Sequence, residues 1–243
     1  MPPSSGPSSV PAAEPTGVPA AGLADPTHRE AVVDLLGAMA YGELTAFSRL
    51  AADAELAPSL ADKALLARQA AAELHHYDLL DQWLQGIGAD IRSAMAPFTE
   101  ALDDFHDRTR PSTWLEGLVK AYVGDGIAAD FYREVSAYLD PTTRALVTEV
   151  LQDVGGADFA VHAVREAIDR DPAVAGRLAL WGRRLVGEAL SQAQRVAAER
   201  DALASLLVGG GHAGGADLAE IGRVFARLTD EHTRRMSRLG LSA

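Results

Sequence analysis

The chain has 243 residues, 48% of them apolar and only 6% aromatic, so a sizeable core has to be built mainly from Leu, Val, Ile and Ala, which suits packed helices better than sheets. The absence of cysteine excludes disulfides, thiolate zinc sites and cysteine nucleophiles, and any metal site must use carboxylates and imidazoles. A formal net charge of −12, from 22 basic and 34 acidic residues, argues against a generic nucleic-acid-binding surface.

Residues 1–25 are rich in Pro, Ser, Ala and Gly and almost free of large apolar side chains, and they read as a disordered tail. A helical period starts near Thr27 and runs to about residue 55, with Val32, Leu35, Leu36, Met39, Ala40, Glu43, Phe47 and Leu50 near one stripe. Ser59 with Asp62 resembles a capping box and opens a second helix to about Leu84, ended by Gly86 and Gly88. Residues 91–108 read as a shorter connecting helix interrupted near Pro97. Thr113 with Glu116 opens a third long helix to about Leu139. Asp140-Pro141 starts a fourth, to about Arg170, weakened at Gly155-Gly156. Asp171-Pro172 starts a fifth, to about Leu207, and residues 209–215 read as a Gly-rich linker before a last amphipathic helix over 216–239.

No strand-like alternation competes with this period, and the expected fold class is all-α. Helices one and two should form one antiparallel pair, and helices three and four another; the long 85–112 connection lets the second pair pack as a pseudo-repeat of the first. The expected organisation is a tail over 1–25, a helical bundle with a fifth helix over 26–208, and a linker with a C-terminal helix over 209–243. No apolar run is long enough to span a bilayer and no basic-then-apolar leader opens the chain, so a soluble, cytoplasmic protein without a membrane partner is expected.

The chemistry concentrates in Ala72-Glu73-Leu74-His75-His76-Tyr77-Asp78. Glu73 and His76, three apart on a helix, share a face and can reach one metal ion from a single turn. Glu43, on the preceding helix, supplies a third ligand. Two carboxylates facing an apolar interior are costly unless paired or bound to a cation, and a divalent iron or manganese ion resolves that cost. His75 points away from His76, and Asp78 is placed to orient an imidazole. One inward Glu followed by Glu-x-x-His on the next helix is half of a di-metal carboxylate signature, and helices three and four should supply the rest. Helix three offers Asp125, Asp130 and Glu134, and helix four offers Asp153, Asp158 and His162, with no second Glu-x-x-His. Asp130 and Glu134 read as solvated acids. Asp125 and Asp158 are the candidates for a displaced second site.

On these segments the chain resembles the ferritin-like tRNA hydroxylases that act on methylthio-isopentenyl-adenosine in tRNA, and more closely their actinobacterial ferritin-like relatives. Glu43-Leu44-Thr45-Ala46 is similar to the first-helix ligand segment, Glu73-Leu74-His75-His76-Tyr77 to the second-helix motif, and Val123-Gly124 with Ile127 and Ala129 to the start of the third helix. The stretch from Arg177 to Gln194, around Leu180-Trp181-Gly182-Arg183-Arg184-Leu185, looks like the actinobacterial relatives. The likeness spans roughly 28–200 and implies a ferritin-like four-helix bundle with additional C-terminal helices. It carries Glu43, Glu73 and His76 over as ligands, with iron, one or two ions, as the cofactor. Ala128 stands where the hydroxylases have a third-helix Glu, and Val154 and Ala157 where they have a second Glu and His. The implied function is a non-haem iron, oxygen-dependent tRNA-modifying hydroxylase with an electron-donor protein; tRNA would approach over the fifth helix, where Arg177, Arg183, Arg184, Arg195 and Arg200 outnumber Glu188 and Glu199. The alternative is a non-catalytic ferritin-like protein with a degenerate or single-metal site, serving as a binding or structural module. Iron storage fits less well, since nothing in the tail or the C-terminal helices suggests a shell-forming oligomer.

Overall fold

Local capping sets most helix starts. In the computed structural model, which describes residues 23–152, 156–207 and 218–243, α1 (Pro26–Ala54) begins where the Asp25 carboxylate accepts from the Thr27 amide at 3.0 Å, with Pro26 in the first turn. Ser59 accepts from the Asp62 amide at 3.1 Å and opens α2 (Leu60–Gly86). A short α3 (Ile91–Met95), a 3-10 turn (Ala96–Phe98) and α4 (Thr99–Arg108) form the connection. Thr113 accepts from the Glu116 amide at 3.2 Å to open α5 (Trp114–Ser136), and the Glu116 carboxylate accepts in return from the Ser112 amide at 2.7 Å. Asp140 caps α6 (Pro141–Val150), and α7 (Gly156–Arg170), α8 (Ala173–Glu199), α9 (Asp201–Leu207) and α10 (Leu218–Arg238) follow. Helix is the only regular structure among the described residues, and none of their helices is long and apolar enough to cross a membrane.

The structure differs from the sequence reading in four places. The fourth helix is two helices, α6 ending at Val150 and α7 beginning at Gly156. The fifth is broken at Arg200, whose backbone leaves the helix (φ −125, ψ 82). Its guanidinium grips Asp34 of α1 with two hydrogen bonds, Nε donating at 2.9 Å, and this long-range pull overrides a continuous local pattern. Third, α5 packs chiefly on α8 and α10 and less on α7 and α6, so the second pair is not simply helices three and four. Fourth, Leu23 and Asp25, read as tail, pack on the core and cap α1. Residues 1–22, the 209–215 linker, Asp153, Val154 and Gly155 lie outside the described residues.

α1 and α2 pack along their length as an antiparallel pair, joined by the short 55–59 connection. α3 lies against α1 at Gly37, where a Cβ would stand 2.2 Å from the Ala94 carbonyl oxygen, so only glycine permits that approach. The core has two apolar clusters. One gathers Val32, Leu35, Leu36 and Met39 of α1 with Leu80 and Leu84 of α2, Phe98, and Val147 of α6. The other gathers Leu50 and Ala54 of α1 with Leu66 and Ala70 of α2, Val119 and Val123 of α5, Val164, Leu178, Leu185 and Met236. Between them, a polar belt crosses α1 and α2.

Candidate metal centre

The belt is where Glu43, Glu73 and His76 meet. On α1, Glu43 falls between Ala40 of the first cluster and Leu50 of the second; on α2, Glu73 and His76 fall between Ala70 and Leu80. Antiparallel packing brings the two positions level. Each of the three residues offers one donor atom, and these atoms all lie within 4.8 Å of one another. His76 Nδ1 is 3.3 Å from Glu43 Oε2 and 3.9 Å from Glu73 Oε2. This is the one group of three or more potential metal donors so gathered among the described residues.

The electrostatics of the trio are those of a cluster short of positive charge. Burial holds the Glu43 carboxyl well above the ordinary carboxylate range, against the favourable hydrogen bond from His76. Burial also works against ionisation of Glu73, but hydrogen bonds from His76 and Glu43 bring it below its ordinary value. His76 is pushed up to about 9, first by its hydrogen bond to Glu43 and then by that to Glu73. Without an ion, the trio shares protons that a divalent cation would displace. Two carboxylate oxygens and one imidazole nitrogen suit a first-row transition ion, and Glu43, the carboxyl that burial most disfavours as an anion, is the group that gains most from one. The residues present fit a metal.

Two neighbours complete the wall. Tyr132 of α5 brings its hydroxyl 3.9 Å from where a Cβ on Gly42 would lie, and burial with the nearby Glu43 charge pushes its phenol upward. Gln69, one turn before Glu73 on the same stripe of α2, is 8% exposed, and its Nε2 has no hydrogen-bond partner. Sequence reading missed both. The four-residue spacing from Gln69 to Glu73 was a usable signal; nothing local announces Tyr132.

The other expected ligands lie elsewhere. Asp158 is on the surface, its side chain 87% exposed and 3.2 Å from Arg238 of α10. Asp125 is exposed on α5, as is Ala128. Neither carboxylate joins the trio, because α5 and α7 turn their buried faces, Val123, Ile127, Ala160 and Val164, toward the apolar cluster. His162, His75 and Asp78 are exposed, and Asp130 and Glu134 are held by arginines of α10. The arginines of the fifth helix are committed too. Arg195 pairs with Glu100, Asp104 and Glu199, Arg200 with Asp34, and Arg177 lies 3.8 Å from Glu116; Arg183 and Arg184 donate to main-chain carbonyls.

A second buried polar group, between α1, α4 and α5, has a structural role. Lys120 Nζ donates to the Thr109 carbonyl at 2.8 Å, at the carboxyl end of α4, where a cation is favoured. Burial brings this amine down to about 8, and burial with Lys120 and Arg49 nearby brings His106 down to about 3.

The chain matches the family described as "Ferritin-like domain, actinomycetes" over residues 26–210, and it belongs to that family. No curated protein sequence matches it. Among solved structures, a Bacillus halodurans protein described as a class I ribonucleotide reductase aligns with a TM-score of 0.64 over 90% of this chain and 82% of that one. At 12% identity the likeness shows the shared ferritin-like fold.

Proposed function

We propose that this ferritin-like protein is a metalloprotein whose centre holds a single divalent transition ion, iron by preference, through Glu43, Glu73 and His76. The observation that carries this reading is the convergence of two partly buried carboxylates and a buried imidazole, with their donor atoms within 4.8 Å, in a belt between two apolar clusters. Among the described residues a second ion has no comparable donors, since α5 and α7 contribute no further carboxylate or imidazole to the group. When bound, iron supplies Lewis acidity and one-electron redox chemistry.

The chain's own residues do the rest. Glu43 and Glu73 balance a dication, His76 supplies the nitrogen donor, and the apolar clusters on either side limit water. Tyr132 presents a phenol beside Glu43. The test is metal content after anaerobic iron loading: one ion per chain is expected, while two ions, or none, overturns the reading.

The similarity of 43–46 and 73–77 to hydroxylase ligand segments favours an oxygen-dependent oxidoreductase as the activity such an ion would serve. A tRNA substrate is a further step, and the paired state of the α8 arginines weighs against it. Incubating the iron-loaded protein with a chemical reductant, oxygen and tRNA carrying methylthio-isopentenyl-adenosine checks that step, with no hydroxylated nucleoside expected.

A further inference from the structure

α2 has two apolar faces, and only one of them is covered. Leu66, Ala70, His76 and Leu80 lie on its inner side, along which α1 runs. On the opposite side Leu60, Ala64, Ala67, Ala71 and Leu74 are all exposed, Leu60 to 86% and Leu74 to 37%. A solvated helix face ordinarily carries polar and charged side chains, and these five positions carry none. They follow one another at alternating intervals of four and three residues, the heptad spacing of a seam that packs against another helix. Among the described residues, α2 packs along α1 and beyond it mainly on α3 and α6, so this row has no helix of its own chain against it. The three alanines at its centre leave room for a second helix axis at about 8 Å.

The charges around the row select the partner. Lys63 and Arg68 stand beside its amino-terminal half, and Asp78 and Asp81 continue it at the carboxyl-terminal end. A second α2 laid antiparallel, with each Ala71 against Leu74 of the other copy, brings Arg68 opposite Asp78 and Lys63 opposite Asp81. Two-fold symmetry makes each pairing twice. Lys63 now holds Glu55 in an exposed pair that costs little to exchange. A parallel pair would instead set Asp78 against Asp78 and Asp81 against Asp81.

We infer that the outer face of α2 is an interface with a second copy of this chain, formed by two antiparallel α2 helices. The contact uses the same surface on both copies and closes on itself, so it yields a dimer and not a filament. It is independent of the metal reading, because Glu73 and His76 belong to the side of α2 that meets Glu43.

The experiment uses the full chain, with mass and dissociation constant read by sedimentation equilibrium and folding checked by circular dichroism. The parent is expected at twice the 25.6 kDa chain mass. Ala71→Glu sets two like charges at the centre of the seam and should weaken the dimer about a hundredfold or more, with helix content unchanged. Arg68→Glu and Asp78→Arg should each weaken it about tenfold, and the two together should return it to within about threefold of the parent, because opposite charges face one another again. This exchange also stands in if Ala71→Glu does not fold. A parent that stays monomeric up to about 0.1 mM overturns the second copy as the occupant. A dimer indifferent to a folded Ala71→Glu overturns this face as the interface. Single reversals that weaken the dimer without restoration in the double variant overturn the antiparallel arrangement.

Discussion

Glu43 carries the sharpest single-residue expectation. It is the carboxyl that burial most disfavours as an anion, and the one that an ion would most stabilise. Glu43→Gln keeps the shape and hydrogen-bonding capacity and removes the charge. Metal affinity should then fall by more than the roughly 10–100-fold that outer-shell changes cost, as titration calorimetry would show. The same variant, stripped of metal, should melt no lower than the stripped parent, because it no longer buries an ionisable group in an apolar belt. Asp158→Asn should leave metal content and melting temperature unchanged, since an exposed ion pair contributes about 0–1 kcal/mol. At this scale the trio was legible in the sequence, because a three-residue spacing on a helix is a local fact and the matching Glu on the helix before it is one turn-count away. Asp125 and Asp158 were misplaced because which face of α5 and α7 turns inward depends on neighbours, α8 and α10, that no local pattern names.

Among the elements, the break at Arg200 and the docking of α10 decide how the second half packs. Asp34 is almost fully buried in α1 and is gripped by Arg200 from 166 residues away, so the kink between α8 and α9 is a tertiary event and invisible to periodicity. Asp34→Ala should cost about 3 kcal/mol, at the low end for breaking a buried pair because Arg200 keeps some solvent, measured as a shift in the urea midpoint. α10 docks through Arg227 to Glu134, Arg235 to Asp130, and Arg165 of α7 to the carbonyls of Ser237 and Arg238. It also buries His232, 2% exposed, with neither ring nitrogen partnered. Burial, then the Arg235 charge, brings this imidazole down to about 4, so the folded state takes its proton later than the unfolded chain does. Stability is whole above pH 6.5 and is lost as the pH falls toward about 4, on the order of 3 kcal/mol. His232→Leu should flatten that part of the stability–pH profile. Capped starts such as Ser59, Thr113 and Asp140 were readable because the cap and its partner are neighbours in sequence.

At the level of the whole molecule, the proposed single ion would be linked to the fold. A metal present at 100 times its dissociation constant stabilises the folded state by about 2.7 kcal/mol, which for a chain of this size corresponds to roughly 5–10 °C of melting temperature. A chelator should remove that increment from the parent and leave Glu43→Gln unmoved, as scanning calorimetry would show. The polar belt gives this linkage a direction. Because Glu43 lies between the two apolar clusters on α1, and Glu73 and His76 between them on α2, each helix passes from one cluster to the other through the stretch that carries the trio. A bound ion would then couple the two clusters. With it, they should melt in a single transition. Stripped of it, the unit built on α7, α8 and α10 is expected to open first, as earlier hydrogen exchange in those helices than in the Val32–Met39 half of α1.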